Sequence, residues 1–491
     1  MKAFLAVKRS SKILLAVIIS ISALGIFIPM RIFFADRFFT TKKSKSPYIT
    51  VFIHGSFGPL LGFLSLPDVL NDKISGTLYR TTTKKMRMDD FFYKSQPILD
   101  RGLKRIMPTL NPALIGNKYY AAYPITQAYA SINEACKPDN HNELLYTFGW
   151  SGLMSQHSRR YEAIRLYNAL AQEVEKLQKE GLTPRIRIIT HSHGGNLCLN
   201  LAAVQYVLKS HAFDQRQIIS SDPDEQESIE KMAALFTKLT TKEIASMGVD
   251  QKIYDYVPQH KNLVIDELVM LGTPIQAETE TFCYAPIFKT VYNLYSDEDQ
   301  VQKSDWISTK KSLSNARVSK KAPASLLKFG PPARVIQAQI ITHKGAIKAP
   351  TKNQKAHKAS EEKSLLTQLL EGKNVFTRNS ADPTHKELWF LGWENSDEAF
   401  SLPIAPLPIV AFIPLITKVL TQSTYTDATI TLKKTDALFA ITATSNKNLH
   451  STTITLPLEI VTDLQKKTDL WKAPESTQLH EFEAVYKHLT T

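Results

Sequence analysis

The chain has 491 residues, of which 43% are hydrophobic and 22% charged, a composition that excludes wholesale disorder. The formal net charge is +14, and much of it falls between residues 303 and 363, where 14 lysines and arginines meet three acids. Its only Phe, Tyr or Trp residues are Trp306 and Phe329, too few to interleave with the basic residues as stacking platforms, which argues against a nucleic-acid partner. A solvated loop or a lipid-attracted segment is left as its interpretation. The three cysteines, Cys136, Cys198 and Cys283, have no C-x-x-C spacing and predict neither a disulfide framework nor a zinc site.

The N-terminal segment has the pattern of a membrane anchor. Four basic residues within the first twelve precede an uncharged apolar run from Ile13 to Met30, which as a helix would be about 27 Å long. A signal peptide is the alternative, since Ala23-Leu24-Gly25 offers a small-x-small cleavage site, but the apolar run continues beyond it. We therefore predict a single-pass anchor and linker over residues 1–46, with the rest of the chain on the exported side, periplasmic or extracellular.

The first predicted strand, Tyr48 to Ile53, leads into the motif HGSFG at residues 54–58. A glycine-containing loop after a buried strand can present a backbone N–H, here that of Ser56, towards a reacting oxygen. An ordinary strand-to-loop turn remains the alternative. Residues 59–142 have mixed composition with several prolines and predict an insertion over one edge of the sheet.

The segment from Ile188 to Asn196 carries the most informative motif of the chain. An apolar strand stops at Thr190-His191-Ser192-His193-Gly194-Gly195, and an amphipathic run follows it. This order of strand, sharp turn and helix can expose the hydroxyl of Ser192 at the edge of a sheet, and the glycines permit tight packing of the turn. Strands and helices alternate around it, which predicts a parallel sheet with helices on both faces.

Downstream of this turn the chain offers an acid and a histidine. Asp299 follows a strand predicted at residues 291–295, and Asp297 is its close competitor. His385 precedes what looks like the start of a helix, and His343, at the end of another predicted strand, is the alternative. Insertions are predicted at residues 209–258, as a lid or a solvated helical segment, and at residues 303–380.

The C-terminal part of the chain changes character. Residues 402–420 are apolar but contain four prolines, which favours a helix packed on the sheet over a second membrane span. Residues 423–491 contain three runs with period-two alternation, which predict a small antiparallel β appendage. The expected organisation is thus an anchor at 1–46, a domain at 47–422 with the three insertions, and the appendage.

The HGSFG loop, the turn at Ser192, a Leu-Gly-Thr-Pro strand ending at residues 271–274 and the order serine, acid, histidine resemble the α/β-hydrolase superfamily, in its lipase and esterase branch. The resemblance covers approximately residues 48–421. It implies an α/β fold with a mostly parallel sheet, to which the N-terminal transmembrane helix and the C-terminal β appendage are added. It also implies a triad of Ser192, Asp299 and His385.

These residues together predict ester hydrolysis through an acyl-enzyme. His385 would deprotonate Ser192, and the N–H groups of Ser56 and His193 would bind the oxyanion, so that no cofactor and no metal is required. The expected partners are an ester or lipid substrate and, through the N-terminal helix, a membrane; the oligomeric state stays open.

Two other readings remain. Thr190-His191-Ser192-His193 also matches the start of a T-H-x-H metal motif, but Gly195 and Asn196 stand where further ligands should follow. Alternatively, the chain is a non-catalytic relative that uses the same scaffold as an anchored binding protein.

Overall fold

The structure is a computed structural model that describes residues 46–56, 102–106, 122–136, 143–150, 152, 156–210, 222–238, 262–299, 301–302, 314–323, 330–343, 382–385, 387–389, 403–405, 407–448 and 450–471. Ten strands in these ranges are β1 (Tyr48–Ile53), β2 (Gly102–Ile106), β3 (Glu143–Gly149), β4 (Arg185–His191), β5 (Ile265–Leu271), β6 (Phe288–Tyr295), β7 (Arg334–His343), β8 (Asp427–Lys434), β9 (Leu438–Ser445) and β10 (Ser451–Pro457). Six α-helices are α1 (Ala122–Cys136), α2 (Gln156–Lys179), α3 (His193–Ser210), α4 (Pro223–Lys238), α5 (Ile413–Ser423) and α6 (Leu458–Trp471). Short 3₁₀ helices lie at Glu280–Tyr284 and Ile409–Phe412.

All ten strands belong to one sheet, in the order β10-β9-β8-β7-β6-β5-β4-β1-β3-β2. The seven strands from β8 to β3 in this order are parallel to their neighbours. Antiparallel pairing occurs only at the two flanks of this described sheet, where β2 joins β3 and where β9 and β10 follow β8. The sheet is therefore mixed, with a parallel centre.

Helices cover both faces of the sheet because the central strands are apolar on both sides. One face packs side chains such as Ile188 and Val51 against α2, α3 and α4. The other face packs Ile189 and Phe52 against α1, α5 and α6. Burial on both faces is the usual condition of a parallel sheet, since its crossover helices lie above and below it.

The longest described helix, α2, shows how the sequence specifies these layers. Tyr161, Ile164 and Tyr167 recur at helical spacing and are fully buried against the sheet. Lys176 and Lys179 lie in the last turn, where cations interact favourably with the helix dipole. Gly181, with a φ of 78°, then ends the helix in the left-handed conformation that glycine adopts without strain.

The fold class predicted from the sequence is wrong. The predicted α/β-hydrolase fold carried a separate antiparallel appendage, whereas β8 pairs in parallel with β7 and so continues the main sheet into β9 and β10. Period-two alternation reports which face of a strand is buried, but it carries no information on which strand lies beside it. The described residues therefore form one mixed ten-stranded sheet.

The predicted transmembrane helix is also no part of the described fold. Among the residues that the structure describes, no helix combines the length and apolar character that crossing a bilayer requires. The predicted anchor segment, Ile13 to Met30, lies outside the described residues. So do most of the predicted insertions, although β2 and α1 lie within residues 59–142 and β7 within 303–380.

A buried ionic cluster lies under α1, near the amino ends of the central strands. Nε of Arg187 is 2.5 Å from a carboxylate oxygen of Glu267, and Nη1 is 3.2 Å from one of Glu143. The hydroxyl of Tyr129 accepts a hydrogen bond from Arg187 and donates one to Glu143, which also accepts one from Asn133. Burial raises the pKa of Tyr129 well above its usual value, so the phenol stays a neutral donor.

Successive strands of the chain are added first on one side of β1 and then on the other. The chain passes from β1 to β3 on one side and then crosses to β4 on the other, so that β1 lies between β3 and β4. The carboxyl ends of β1 and β4 thus border a topological switch point, the usual place for a binding crevice in such sheets. The turns that follow β1, β4, β5 and β6 carry the residues singled out by the sequence.

Candidate active site

Ser192 occupies a sharp turn between β4 and α3. Its φ is 53°, which makes it one of two non-glycine residues with positive φ in the described ranges. A serine in this region costs about 1–3 kcal/mol of backbone strain, which is tolerated where the surroundings impose it. Here the amide of Ser192 donates to the carbonyl of Leu271 on β5, and its own carbonyl accepts from Gly195. The sheet and the helix thus hold the strained turn from both sides.

The glycines after Ser192 are required by close packing. A Cβ at Gly194 would lie 2.6 Å from the carbonyl oxygen of His54, and one at Gly195 would overlap the side chain of Thr273. Any larger residue would push α3 away from the loops after β1 and β5. Thr190 lies within β4, and its hydroxyl donates to the carbonyl of Val269.

The loop after β1 lies directly against Ser192. A Cβ at Gly55 would be 2.5 Å from Cβ of Ser192 and 3.2 Å from its Oγ. His54 stacks on Trp150 at the end of β3, with ring centroids 5.5 Å apart, and its carbonyl accepts from the Trp150 indole (2.8 Å). Ser56 follows, and its buried hydroxyl has no hydrogen-bond partner among the described residues. Trp150, which sequence reasoning did not single out, therefore supports the loop that contacts the serine.

His385 and Asp299 meet at the end of β5. Nδ1 of His385 is 2.8 Å from Oδ2 of the fully buried Asp299, although 86 residues separate them in the chain. The other carboxylate oxygen accepts from the amide of Gln302 (3.0 Å), which fixes its orientation. A Cβ at Gly272 would lie 2.5 Å from Oδ2 of Asp299 and 3.1 Å from Nδ1 of His385. The histidine and the acid therefore lie beside Gly272. The preceding residue, Leu271, accepts the hydrogen bond from the amide of Ser192.

The two alternatives from the sequence lie elsewhere. Asp297 accepts a hydrogen bond from the side chain of Gln339 on β7 (2.8 Å) in an exposed position. His343 ends β7 and is aligned with Lys433 of β8, on the side of the sheet away from β4. Of the two candidate acids, Asp299 is thus the one whose carboxylate contacts His385.

His191 is the site residue that sequence reasoning undervalued. Its Nε2 donates to the main-chain oxygen of His385 (2.9 Å), and its ring contacts those of His385 and Trp389, at centroid distances of 4.3 and 5.6 Å. Burial, together with the nearby His385, lowers the pKa of His191 well below its usual value. The side chains of β4 alternate between the two faces of the sheet, so His191 shares a face with Ile189. That face is the one on which the C-terminal helices pack, and this pattern could have indicated the position of His191.

His193 begins α3, and its main-chain amide lies in the first helical turn. The first amides of a helix lack intrahelical acceptors and carry the positive end of the dipole, so they suit an anion. The side chain of His193 is directed to its own helix, where its Nδ1 is 3.4 Å from the side-chain nitrogen Nδ2 of Asn196. Across the described ranges, no group of three or more His, Cys, Asp or Glu side chains is arranged to hold a metal ion.

Comparison of the chain with protein-family models, with curated proteins and with solved structures gave no match.

Proposed function

We propose that the chain is a serine ester hydrolase in which Ser192 is the nucleophile, His385 the general base and Asp299 the acid that orients it. The observation that carries the proposal is the 2.8 Å contact between His385 and Asp299 beside the strained turn at Ser192. A carboxylate can only accept, so it holds His385 as the Nδ1–H tautomer and leaves Nε2 as the proton acceptor.

The reaction follows from these roles. His385 Nε2 takes the proton of the Ser192 hydroxyl as its oxygen attacks the ester carbonyl, and the imidazolium then returns that proton to the leaving alcohol. Water repeats the sequence to release the acid from the acyl-enzyme. The amides of Ser56 and His193 are proposed to stabilise the oxyanion, and the loss of one such donor costs about 3 kcal/mol in related chemistry.

The substrate class is proposed to be carboxylic esters, including lipid esters. The membrane anchor predicted from Ile13 to Met30 supports this choice, since it would hold the site next to a bilayer. The basic stretch between Lys303 and Lys363 would add attraction to anionic headgroups.

The direct test uses the full-length chain in mild detergent with a fluorophosphonate probe, which reacts with activated serines. We expect the wild type to be labelled and Ser192→Ala to lose both labelling and hydrolysis of p-nitrophenyl esters, by on the order of 10⁴-fold or more. The matched control is Ser228→Ala, which removes another buried serine whose hydroxyl donates to the carbonyl of Glu278. This control should be labelled like the wild type.

Two outcomes would overturn the proposal. Labelling that persists in Ser192→Ala would place the reactive serine elsewhere. A folded wild type that neither reacts with the probe nor hydrolyses short or long p-nitrophenyl esters would favour the anchored binding protein instead.

A further inference from the structure

The strongest unassigned feature of the molecule is the set of contacts that His191 makes with the segment containing His385. His191 is the last residue of β4, in the centre of the sheet, and is only 3% exposed. Its Nε2–H donates to the main-chain oxygen of His385, and its ring contacts two side chains of that same segment, tilted against His385 and stacked on Trp389. The residue next to the nucleophile is therefore bonded to the main chain of the base.

Other contacts of this segment connect it to parts of the chain that do not carry Ser192. Asp299, after β6, accepts from the imidazole of His385. Glu387 accepts a hydrogen bond from the amide of Thr384, and the amides of Ile409 and Val410 donate to the carbonyls of Glu387 and Leu388. These bonds fasten the segment to itself and to the 3₁₀ helix at Ile409–Phe412. The bond from His191, in contrast, connects the segment to the strand that carries Ser192.

A neutral histidine suits this task better than a charged or flexible side chain. The main-chain oxygen of His385 can only accept, so His191 must carry its proton on Nε2. A second positive charge would oppose the imidazolium that His385 becomes during catalysis. Burial keeps His191 uncharged, because it lowers the pKa of this imidazole well below its usual value.

We propose that His191 is a positioning residue that sets the distance between the general base His385 and the nucleophile Ser192, through its hydrogen bond to the main chain of His385 and its ring contacts with His385 and Trp389. This inference rests on the proposed function. Displacement of a reacting group by about 1 Å can lower a rate by about a hundredfold, so a positioning contact of this kind acts on kcat rather than on substrate binding.

The test compares two substitutions of His191 in the full-length chain. His191→Leu removes the donor, and we expect kcat for a short p-nitrophenyl ester to fall about tenfold to a hundredfold with KM within about twofold. His191→Gln keeps an N–H donor at a similar reach and should recover most of kcat. The rate of fluorophosphonate labelling should follow the same order.

Tyr167→Phe is the matched control for the loss of a buried hydrogen-bonding group. The hydroxyl of Tyr167, on the opposite face of the sheet, is hydrogen-bonded to the amide of Leu263 and to the side chain of Gln205. A merely structural role of His191 would make both variants lower the melting temperature without a change in kcat per folded molecule. Equal activity of the wild type and His191→Leu, or equal loss in folded Leu and Gln variants, would overturn the proposal.

The tautomer of His191 provides a second measurement that needs no activity and no folded Leu variant. In ¹⁵N NMR of the wild type at neutral pH, we expect His191 to be protonated on Nε2 alone. A proton on Nδ1 alone, or a charged ring, would overturn the proposal. The failure of the proposed function is recognised separately, because in that case Ser192→Ala would retain labelling, or the folded wild type would show neither labelling nor ester hydrolysis, whatever the state of His191.

Discussion

Two buried polar clusters occupy opposite ends of the same central strands and differ in kind. The cluster around Arg187, near the amino ends, pairs its cation with two carboxylates and a phenol, on regular strand and helix backbone. At the carboxyl ends, Ser192 and Gly272 both have positive φ, and the hydroxyls of Ser56 and Thr273 have no hydrogen-bond partner within the described ranges. Strained backbone of this kind is typical of functional sites, whereas ion pairs on regular backbone are typical of clusters that stabilise a fold.

The largest effect that we expect is on kcat, and it separates the two neighbouring acids Asp299 and Asp297. Asp299→Asn should lower kcat on the order of 10⁴-fold, because an amide at this place no longer holds His385 in the required tautomer. Asp297→Asn, two residues away, should change kcat by no more than about twofold, since its carboxylate is exposed and accepts from Gln339 on β7. Ester hydrolysis by the two purified variants is the measurement. Equal losses in both would contradict the assignment of the acid.

The other cluster should affect stability and not catalysis. Arg187→Met leaves the partly buried Glu143 and Glu267 without their cation and should lower the free energy of unfolding by about 3–5 kcal/mol. Arg317→Met is the matched control, because its ion pair with Asp427 is half exposed and contributes about 0–1 kcal/mol. Urea unfolding of each variant measures the difference. A similar loss in both variants, or an unchanged stability of Arg187→Met, would show that the cluster around Arg187 does not stabilise the fold more than a surface ion pair does.

The smallest expected effect is the pH dependence that His191 adds to stability. Its pKa is lowered in the folded protein, so below about pH 6.5 the unfolded chain binds a proton that the folded chain excludes. This contribution is fully present above that pH and is lost as the pH falls towards the lowered pKa. Other histidines, His385, His54 and His193, face the same imidazole and oppose its protonation.

Unfolding of the wild type and His191→Gln at a series of pH values measures this contribution as a difference. We expect the two stability profiles to converge as the pH falls from 7 to 5, because the glutamine does not titrate. Parallel profiles across this range would contradict a neutral, buried His191.

Local patterns predicted much of what surrounds the site. The apolar strand before Ser192, the glycines after it and the helical spacing of Tyr161, Ile164 and Tyr167 depend on interactions between residues close in sequence, and the structure has the corresponding elements. The choice between Asp297 and Asp299 could not be made in this way, since it depends on how the turn after β6 directs each side chain. The same holds for His385, whose partners come from β4 and β6.

The amino-acid sequence by itself determined where strands and helices alternate and which turn can expose a serine, because periodicity, glycine and chain order are local properties. Only the tertiary structure decided that the C-terminal strands extend the main sheet, that Asp299 meets His385, and that His191 contacts the main chain of His385. These side-chain contacts join residues 86 and 194 positions apart, and the strands meet only after folding, so short-range patterns carry no information on them.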